Sequence, residues 1–410
     1  MDRTQFWVRV GTAIIAMALA VALAASAVAG RFPLWLRSAP GPARDSGAPS
    51  PQPSGTASGS PSPSQTPGPA LPTLSLQQMA GQRVIYSYGG LKPPAGLLRL
   101  ISHGDAAGVI FFSQNVSSLA QITKVVAELE QADASPQNPV RAPLLLMTDQ
   151  EGGLVRRVPG PPLLSELQIG ESADPPAAAT FAGTTGGQNL RSIGININLA
   201  PVLDVYRQPG GFDDQFQRSY STNPAVVAEL GADFITAQQR AGVAATAKHF
   251  PGLGAAARAQ DTDKVPVTLN LPLATIRDTD ELPYKAAIAA GVRLVMVSWA
   301  VYPALEPGRP AGLSAMIVNG ELRQRLNFKG VTITDALEAG ALRAYGPIQN
   351  RALLAAEAGM DLILCSVRNV TEGEQATAGL EDGYRDGKLG KQAFTEALQR
   401  VLALRVSLAG

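Results

Sequence analysis

The chain has 410 residues, a formal net charge of +1 and a hydrophobic fraction of 45%. It is therefore long and apolar enough to bury one large core or two smaller ones. The near-balanced charge supplies no field that would gather a polyanion, and the chain has no long basic stripe with interleaved aromatic residues, so we expect no nucleic-acid partner. The single cysteine, Cys365, excludes an intramolecular disulfide and a zinc site built from cysteines, and its apolar neighbours predict a buried core residue.

The N-terminal segment, 1–30, predicts export from the cytoplasm. Arg3 and Arg9 precede an apolar stretch over 10–29 that closes on the small-x-small pattern Ala27-Val28-Ala29, which is typical of signal peptides. The apolar run is also long enough to span a bilayer, so a retained membrane anchor is an equal alternative. We expect an extracytoplasmic protein, secreted or tethered to the membrane by this segment alone.

Residues 38–73 are dominated by Pro, Ser, Gly and Ala, with almost no large apolar side chains. Such a segment cannot bury enough surface to offset its ordering entropy, which predicts a disordered linker. The remaining residues, 74–410, form the predicted folded domain.

Short β-branched or apolar runs recur through this domain, and each is followed by a stretch with helical spacing. Two of the helical stretches lie at 224–241 and 273–290. Alternation of buried strands with amphipathic helices predicts a parallel sheet covered by helices, and eight such units fit one (β/α)8 TIM barrel. A doubly wound open sheet is the alternative, but no G-x-G-x-x-G follows the first strand. The predicted strands lie within 83–88, 107–112, 143–149, 195–204, 243–250, 294–302, 330–335 and 360–365.

Polar residues stand where several of these strands end, and in a parallel barrel those ends form the active face. Asp335 follows the apolar strand at 330–334. A carboxylate there could attack a sugar anomeric carbon, ligate a metal or cap the next helix.

Asp149 and Arg157 flank Gly152-Gly153, which predicts a turn that lets the backbone approach a ligand, or an ordinary turn with a surface ion pair. Arg218 could offer a planar donor fork to hydroxyl, acetamido or carboxylate oxygens, or be an exposed loop residue.

The motif Lys248-His249-Phe250-Pro251-Gly252 is unusual, because a lysine and a histidine together end an apolar strand. Lys248 could form a Schiff base, as in an aldolase, or both side chains could donate hydrogen bonds to substrate hydroxyls. A metal site that joins His249 to Asp149 and Glu151 is disfavoured, since no second histidine stands at metal-binding spacing. We expect neither a metal nor a cofactor.

Taken together, these motifs resemble glycoside hydrolase family 3, in its single-domain β-N-acetylhexosaminidase branch, over 74–410. The resemblance implies that Asp335 is a nucleophile that forms a covalent glycosyl-enzyme, hydrolysed with retention of configuration. It implies that Asp149, Arg157, Arg218, Lys248 and His249 hold the sugar in the first subsite, which makes Lys248 a hydroxyl binder. The matching blocks, in chain order, are 74–82, 108–112, 149–153 with Arg157, 200–205, 248–252, 296–303 and 330–337.

The sequence departs from this branch at the expected acid/base loop. Relatives continue after the Lys-His-Phe-Pro-Gly block with His-Gly and then a loop bearing Asp-Ser-His, whose Asp-His pair is the general acid/base. This chain has Leu253-Gly254 and Asp261-Thr262-Asp263, so neither loop histidine is present. Asp263, aligned with the missing histidine, and Asp261, aligned with its partner, are the candidate catalytic substitutes. Either carboxyl group would be a poor acid at neutral pH unless burial or a neighbour raised its pKa.

The resemblance implies a retaining exo-glycosidase that hydrolyses terminal β-linked N-acetylglucosamine. Its carbohydrate substrate would be a glycan that contains this sugar, such as a peptidoglycan fragment of the cell wall. Two alternatives follow from the altered loop and from the breadth of the family: an exported sugar-binding pseudo-hydrolase that lacks an efficient acid/base, and a β-glucosidase-type enzyme.

Overall fold

A computed structural model describes residues 73–409 of the chain. The predicted signal peptide or anchor at 1–30 lies outside the described residues, as does the linker at 38–73 apart from Thr73 itself. Within 73–409, every helix is too short or too polar to cross a membrane.

Eight parallel strands form the centre of the domain, and each lies within one of the predicted strand runs. Neighbouring strands pair in chain order, the last strand pairs with the first, and an isolated bridge between Ile333 and Leu362 joins the seventh strand to the eighth. The sheet therefore closes on itself, and the predicted parallel barrel is confirmed. The strands are β1 (Val84–Tyr86), β2 (Gly108–Phe111), β3 (Leu145–Thr148), β4 (Ile197–Asn198), β5 (Ala244–Phe250), β6 (Leu294–Val297), β7 (Val331–Thr334) and β8 (Ile363–Leu364).

Helices cross from one strand to the next around the outside. Between β6 and β7 the crossover is a π-helix, Met316–Arg325, and a 3₁₀-helix, Gly340–Tyr345, follows β7. Short antiparallel pairs at Gln150–Gly152 with Val155–Arg156 and at Val301–Tyr302 with Glu306–Pro310 follow β3 and β6. The helices are α1 (Leu76–Gly81), α2 (Ala95–Ser102), α3 (Leu119–Asp133), α4 (Glu166–Gly170), α5 (Pro175–Ser192), α6 (Pro224–Arg240), α7 (Leu282–Ala289), α8 (Ile348–Ala358), α9 (Val370–Arg385) and α10 (Lys391–Ser407).

The predicted helix at 224–241 is confirmed as α6, which begins with Pro224 directly after its N-cap, Asn223. The prediction of one continuous helix over 273–290 is wrong. One turn at Leu273–Thr275 leads into a π-turn at Ile276–Asp280, and α7 starts at Leu282. Pro283 cannot donate a backbone hydrogen bond to the preceding turn, so the helix restarts there instead of running through.

Alternation along the strands separates two apolar layers. In β1, Ile85 belongs to a cluster that contains residues from every strand and fills the barrel, whereas Val84 and Tyr86 pack outward against the helices. Cys365 is fully buried in the outer layer, as predicted. Both layers are apolar, so packing within them does not account for the charged side chains that are buried at the strand ends. The interior cluster includes Ile85, Ile110, Met147, Ile197, Ala244, Met296, Ile333 and Leu364.

Candidate active site

A cavity of about 400 Å³ opens at the C-terminal ends of the barrel strands. All of the site residues singled out in the sequence line it, although they come from widely separated parts of the chain. They are brought together because each lies at the C-terminal end of a strand of one closed parallel barrel or in the loop that follows it. These residues are Asp149, Arg157, Arg218, Lys248, His249, Asp261, Asp263 and Asp335.

Asp335 directly follows β7 and lines this cavity. Its Oδ1 accepts a hydrogen bond from the amide of the next residue, Ala336, at 2.8 Å. The next helix begins only at Gly340, so Asp335 is not the N-cap of a helix. The capping alternative is therefore wrong for this aspartate, and its second oxygen makes no hydrogen bond with the described residues.

Buried charges pair closely on the opposite wall. The Lys248 ammonium lies 2.8 Å from both Asp149 Oδ1 and Glu151 Oε1. Arg218 makes a bidentate contact with Glu151, at 2.8 and 2.9 Å. Burial opposes ionisation of Glu151, but the Arg218 guanidinium and the Lys248 ammonium outweigh it and hold the pKa of that carboxyl well below its usual range.

These pairs decide what Lys248 can do. Burial would lower the pKa of Lys248, but the Asp149 and Glu151 carboxylates raise it above its usual value. A Schiff base needs a neutral amine as nucleophile, so this environment opposes that chemistry and favours an ammonium that donates hydrogen bonds.

His249 is held by a single buried carboxylate. Its Nδ1 lies 2.7 Å from Asp204 Oδ2, and Asp204 Oδ1 accepts hydrogen bonds from the backbone amides of His249 (3.2 Å) and Leu253 (2.6 Å). Burial lowers the pKa of the imidazole, but Asp204 raises it more, so the net direction is upward. The ring is thereby fixed with its Nε2 3.4 Å from Arg218 Nη2.

Among the described residues, Asp204, Asp213 and His249 place one possible metal-ligand atom each within 4.8 Å of one another. The Arg218 guanidinium occupies the same neighbourhood, 3.7 Å from Asp213 and 3.4 Å from His249 Nε2. A bound cation would face this permanent positive charge, so the residues fit a metal poorly. The other metal alternative also fits poorly, because Asp149 and Glu151 are already paired with Lys248.

The altered loop brings both candidate acid/base residues to the cavity rim. The Gly340 amide donates to the Asp263 carbonyl at 2.7 Å, and the Ala341 amide donates to the Thr262 carbonyl at 3.0 Å, so the loop is anchored beside the segment that follows Asp335. Asp261 accepts from the Asp263 amide at 3.0 Å and pairs with Lys264 at 2.8 Å.

The two loop aspartates differ in their neighbours. Partial burial, followed by the nearby carboxylates of Asp335 and Asp261, raises the pKa of Asp263 to about 7. The Asp263 side chain still reaches solvent, and the carboxylates of Asp335, Asp261 and Glu338 around it oppose its ionisation. Asp261 instead has Lys264 as an ion-pair partner. Asp263 is therefore the better proton donor of the two.

Sequence reasoning missed several parts of this site. Asp213 is almost fully buried, and burial together with Asp204 raises its pKa to about 7. Phe212 and Phe216 form an apolar wall of the cavity and contact each other edge to face. The only signal in the sequence was a pair of aromatic residues and two aspartates in a glycine-rich loop after β4. Nothing in that pattern indicates that the loop folds inward.

The family model for the glycosyl hydrolase family 3 N-terminal domain matches residues 75–404 of the chain. Among curated proteins, an uncharacterized secreted glycosyl hydrolase of Arthroderma benhamiae is 46% identical over 336 residues, which cover 82% of this chain and 94% of that protein. Beta-hexosaminidase A of Pseudoalteromonas piscicida is 32% identical, over 82% of this chain and 62% of that protein.

Comparison with solved structures agrees with these sequence comparisons. The chain resembles a glycoside hydrolase family 3 beta-N-acetylglucosaminidase from Paenibacillus, with a TM-score of 0.76, 34% identity and coverage of 82% of this chain and 63% of that chain. It also resembles the beta-N-acetylhexosaminidase of Beutenbergia cavernae, with a TM-score of 0.74, 31% identity and coverage of 82% and 99%. The chain thus spans less than two thirds of some relatives and nearly all of others. The predicted family is confirmed: the chain belongs to glycosyl hydrolase family 3 and is a glycoside hydrolase.

Proposed function

We propose that the chain is a retaining exo-glycosidase that removes terminal β-linked N-acetylglucosamine, with Asp335 as its nucleophile. The observation that carries the proposal is the position of Asp335 at the end of β7, in one cavity with Asp263 and a buried array of hydrogen-bond donors. Several relatives are named beta-hexosaminidases or beta-N-acetylglucosaminidases, which supports the choice of sugar.

The reaction proceeds in two steps. A carboxylate oxygen of Asp335 attacks the anomeric carbon, the bond from that carbon to the glycosidic oxygen breaks, and the Asp263 carboxyl gives its proton to the departing oxygen. Water then attacks the anomeric carbon of the glycosyl-enzyme and gives a proton back to Asp263, which frees Asp335. Two inversions at one carbon leave the configuration unchanged.

The charged wall binds the sugar. Lys248, Arg218 and His249 are held in fixed positions by Asp149, Glu151 and Asp204, so they lose little freedom when they donate to hydroxyl or acetamido oxygens. Arg157 Nε is buried and donates no hydrogen bond among residues 73–409, and it lies 3.8 Å from Asp149 Oδ2. A buried donor without a partner is costly, and a substrate oxygen would satisfy it.

The proposed setting is outside the cytoplasm. The Arthroderma relative is described as secreted, and the sequence over 1–30 has the features of an export signal or anchor. A glycan of the cell wall, such as a peptidoglycan fragment, would then be within reach of the enzyme.

A second candidate is a sugar-binding pseudo-hydrolase. One observation favours it: the loop carries Asp263 at the position where the resemblance implies the histidine of an Asp-His acid/base pair. The raised pKa of Asp263 favours the enzyme. Binding of N-acetylglucosamine without cleavage of any aryl glycoside would favour the pseudo-hydrolase.

The test is release of phenol from an aryl N-acetyl-β-glucosaminide. We expect turnover by the native chain and a loss of at least about a thousandfold in Asp335→Ala, because the covalent route disappears with the nucleophile. Asp382→Ala, which removes an exposed aspartate of α9, is the matched control and should retain full activity. Equal turnover by Asp335→Ala would contradict the assignment. Faster cleavage of an aryl β-glucoside in the same panel would contradict the choice of sugar and indicate the β-glucosidase alternative.

A further inference from the structure

A second cavity, of about 220 Å³, lies at the other end of the barrel. Arg83 lines it and directly precedes β1, and Met360 lines it shortly before β8. Since all barrel strands are parallel, their starting ends lie on the face opposite the proposed active site. No step proposed for the glycosidase uses this cavity.

Its inner wall carries more positive than negative charge. Arg83, Arg323 and Arg400 surround the single buried carboxylate of Asp361. Asp361 accepts from Arg323 Nη2 and, at 3.0 Å, from Arg400 Nε. Arg83 instead donates to carbonyl oxygens, from Nε to Asp361 at 3.1 Å and from Nη2 to Met360 at 2.6 Å. Two guanidinium groups therefore pair with one carboxylate, and that of Arg83 forms no ion pair with it.

Two of these guanidinium groups have N–H donors without an acceptor among residues 73–409. Arg83 is only 1% exposed, and its Nη1 makes no hydrogen bond with any residue between 73 and 409. Arg323 Nε is buried and likewise has no partner in that part of the chain. Burial lowers the pKa of Arg83 to about 10 against the opposing effect of Asp361, which indicates a positive charge that its neighbours do not fully compensate.

The N-cap and first turn of α10 contribute to the wall of the same cavity. The helix has 17 residues, its N-cap is Gly390, no side chain caps it and its first turn contains no acidic residue. Gly390, Ala393 and Phe394 line the cavity, and the Arg83 guanidinium stacks 4.6 Å above the Phe394 ring. Free backbone amides and the positive end of the helix dipole favour an anion at this position.

We propose that this cavity binds a small tetrahedral oxyanion, either inorganic phosphate or the phosphate group of a small phosphomonoester. An oxyanion with several acceptor oxygens can accept from Arg83 Nη1 and from the first amides of α10 at the same time. Lys388 adds a cation at the rim, whereas Glu357 and Glu396 are exposed there and disfavour an extended polyanion such as a nucleic acid.

The test uses isothermal titration calorimetry of the full chain with inorganic phosphate and, separately, with glycerol 3-phosphate, at constant ionic strength. Ala393→Glu places a carboxylate in the first turn of α10, where it would occupy the position of the anion. Gln399→Glu adds the same charge to an exposed position of the same helix outside the cavity and is the matched control. We expect Ala393→Glu to weaken binding by at least about tenfold, and Gln399→Glu to bind as the native chain does.

Tighter binding of glycerol 3-phosphate would identify the occupant as a phosphomonoester, and equal or weaker binding would identify it as free phosphate. No heat of binding with millimolar phosphate or glycerol 3-phosphate would overturn the proposal. So would equal binding by Ala393→Glu and Gln399→Glu, because the anion would then lie elsewhere. Thermal unfolding of both variants checks that they are folded, and the carboxylate of Ala393→Glu, near the N-terminus of α10, should not lower the melting temperature of that variant.

Discussion

Asp263 and Asp261 stand two residues apart, yet they have different charged neighbours. Asp261 pairs with Lys264, whereas Asp263 faces carboxylates of Asp335, Asp261 and Glu338, with His249 as the nearby cation. A carboxyl group with a pKa of about 7 keeps its proton in a large fraction of molecules near neutral pH. This is the property that a general acid needs and that the missing loop histidine would otherwise supply.

Activity should consequently fall above pH 7 for substrates that need protonation. The protonated form of Asp263 is the donor, so kcat/KM for a disaccharide should decline as the pH rises through the pKa of about 7. Asp263→Asn should remove this decline and lower kcat/KM for the disaccharide by about a thousandfold. A pH profile of disaccharide hydrolysis by both proteins measures the effect.

An aryl glycoside with a good leaving group provides the control, because its departure needs little protonation. We expect Asp263→Asn to reduce the glycosylation rate of that substrate by no more than about tenfold. If Asp261→Asn caused the larger loss on the disaccharide, and Asp263→Asn did not, the assignment of the proton donor would be reversed.

At the scale of elements, the position of the loop depends on the segment after β7. Gly340 donates to the Asp263 carbonyl, and a Cβ atom at this glycine would lie 2.1 Å from the carbonyl oxygen of Lys264. Backbone atoms cannot yield as a flexible side chain can, so even alanine should push the loop away from Asp335.

Gly340→Ala should therefore lower kcat/KM for the disaccharide by about tenfold or more, since small displacements of a catalytic group are costly. Gly320→Ala is the matched control, because a Cβ atom at Gly320 meets nothing within 4 Å. Steady-state kinetics of the two variants tests the idea. Unchanged activity in Gly340→Ala would show that the loop does not need this contact.

At the scale of the whole molecule, the sequence was sufficient to predict the barrel. Its strands are continuous apolar runs, and a closed parallel barrel brings the ends of all such runs to one face. For this reason Asp149, Lys248 and Asp335 could be placed in one site without knowledge of any contact. The break at Ile276–Asp280 was not predicted, because the apolar spacing continues through it, although Pro283 in the sequence was a signal that the helix is interrupted.

Interactions between loops were beyond prediction. The burial of Asp213 depends on how a long loop after β4 folds over the cavity, and no periodic pattern encodes that. The second cavity, at the other face of the barrel, is lined by Arg83, Arg323 and Phe394, which are far apart in the chain. Each of these residues alone is an ordinary arginine or aromatic residue, and only the fold reveals that they line one cavity.

The proposed function depends most directly on a covalent bond to Asp335. Incubation with a fluorinated N-acetylglucosaminide that has a good leaving group should trap the glycosyl-enzyme. Fluorine slows both formation and hydrolysis of this intermediate, whereas the good leaving group speeds its formation alone, so the intermediate accumulates. Peptide mass spectrometry should then locate the added sugar on Asp335, and Asp335→Ala should carry none. A sugar attached to another residue, or turnover of the aryl glycoside with no trapped intermediate, would contradict the account.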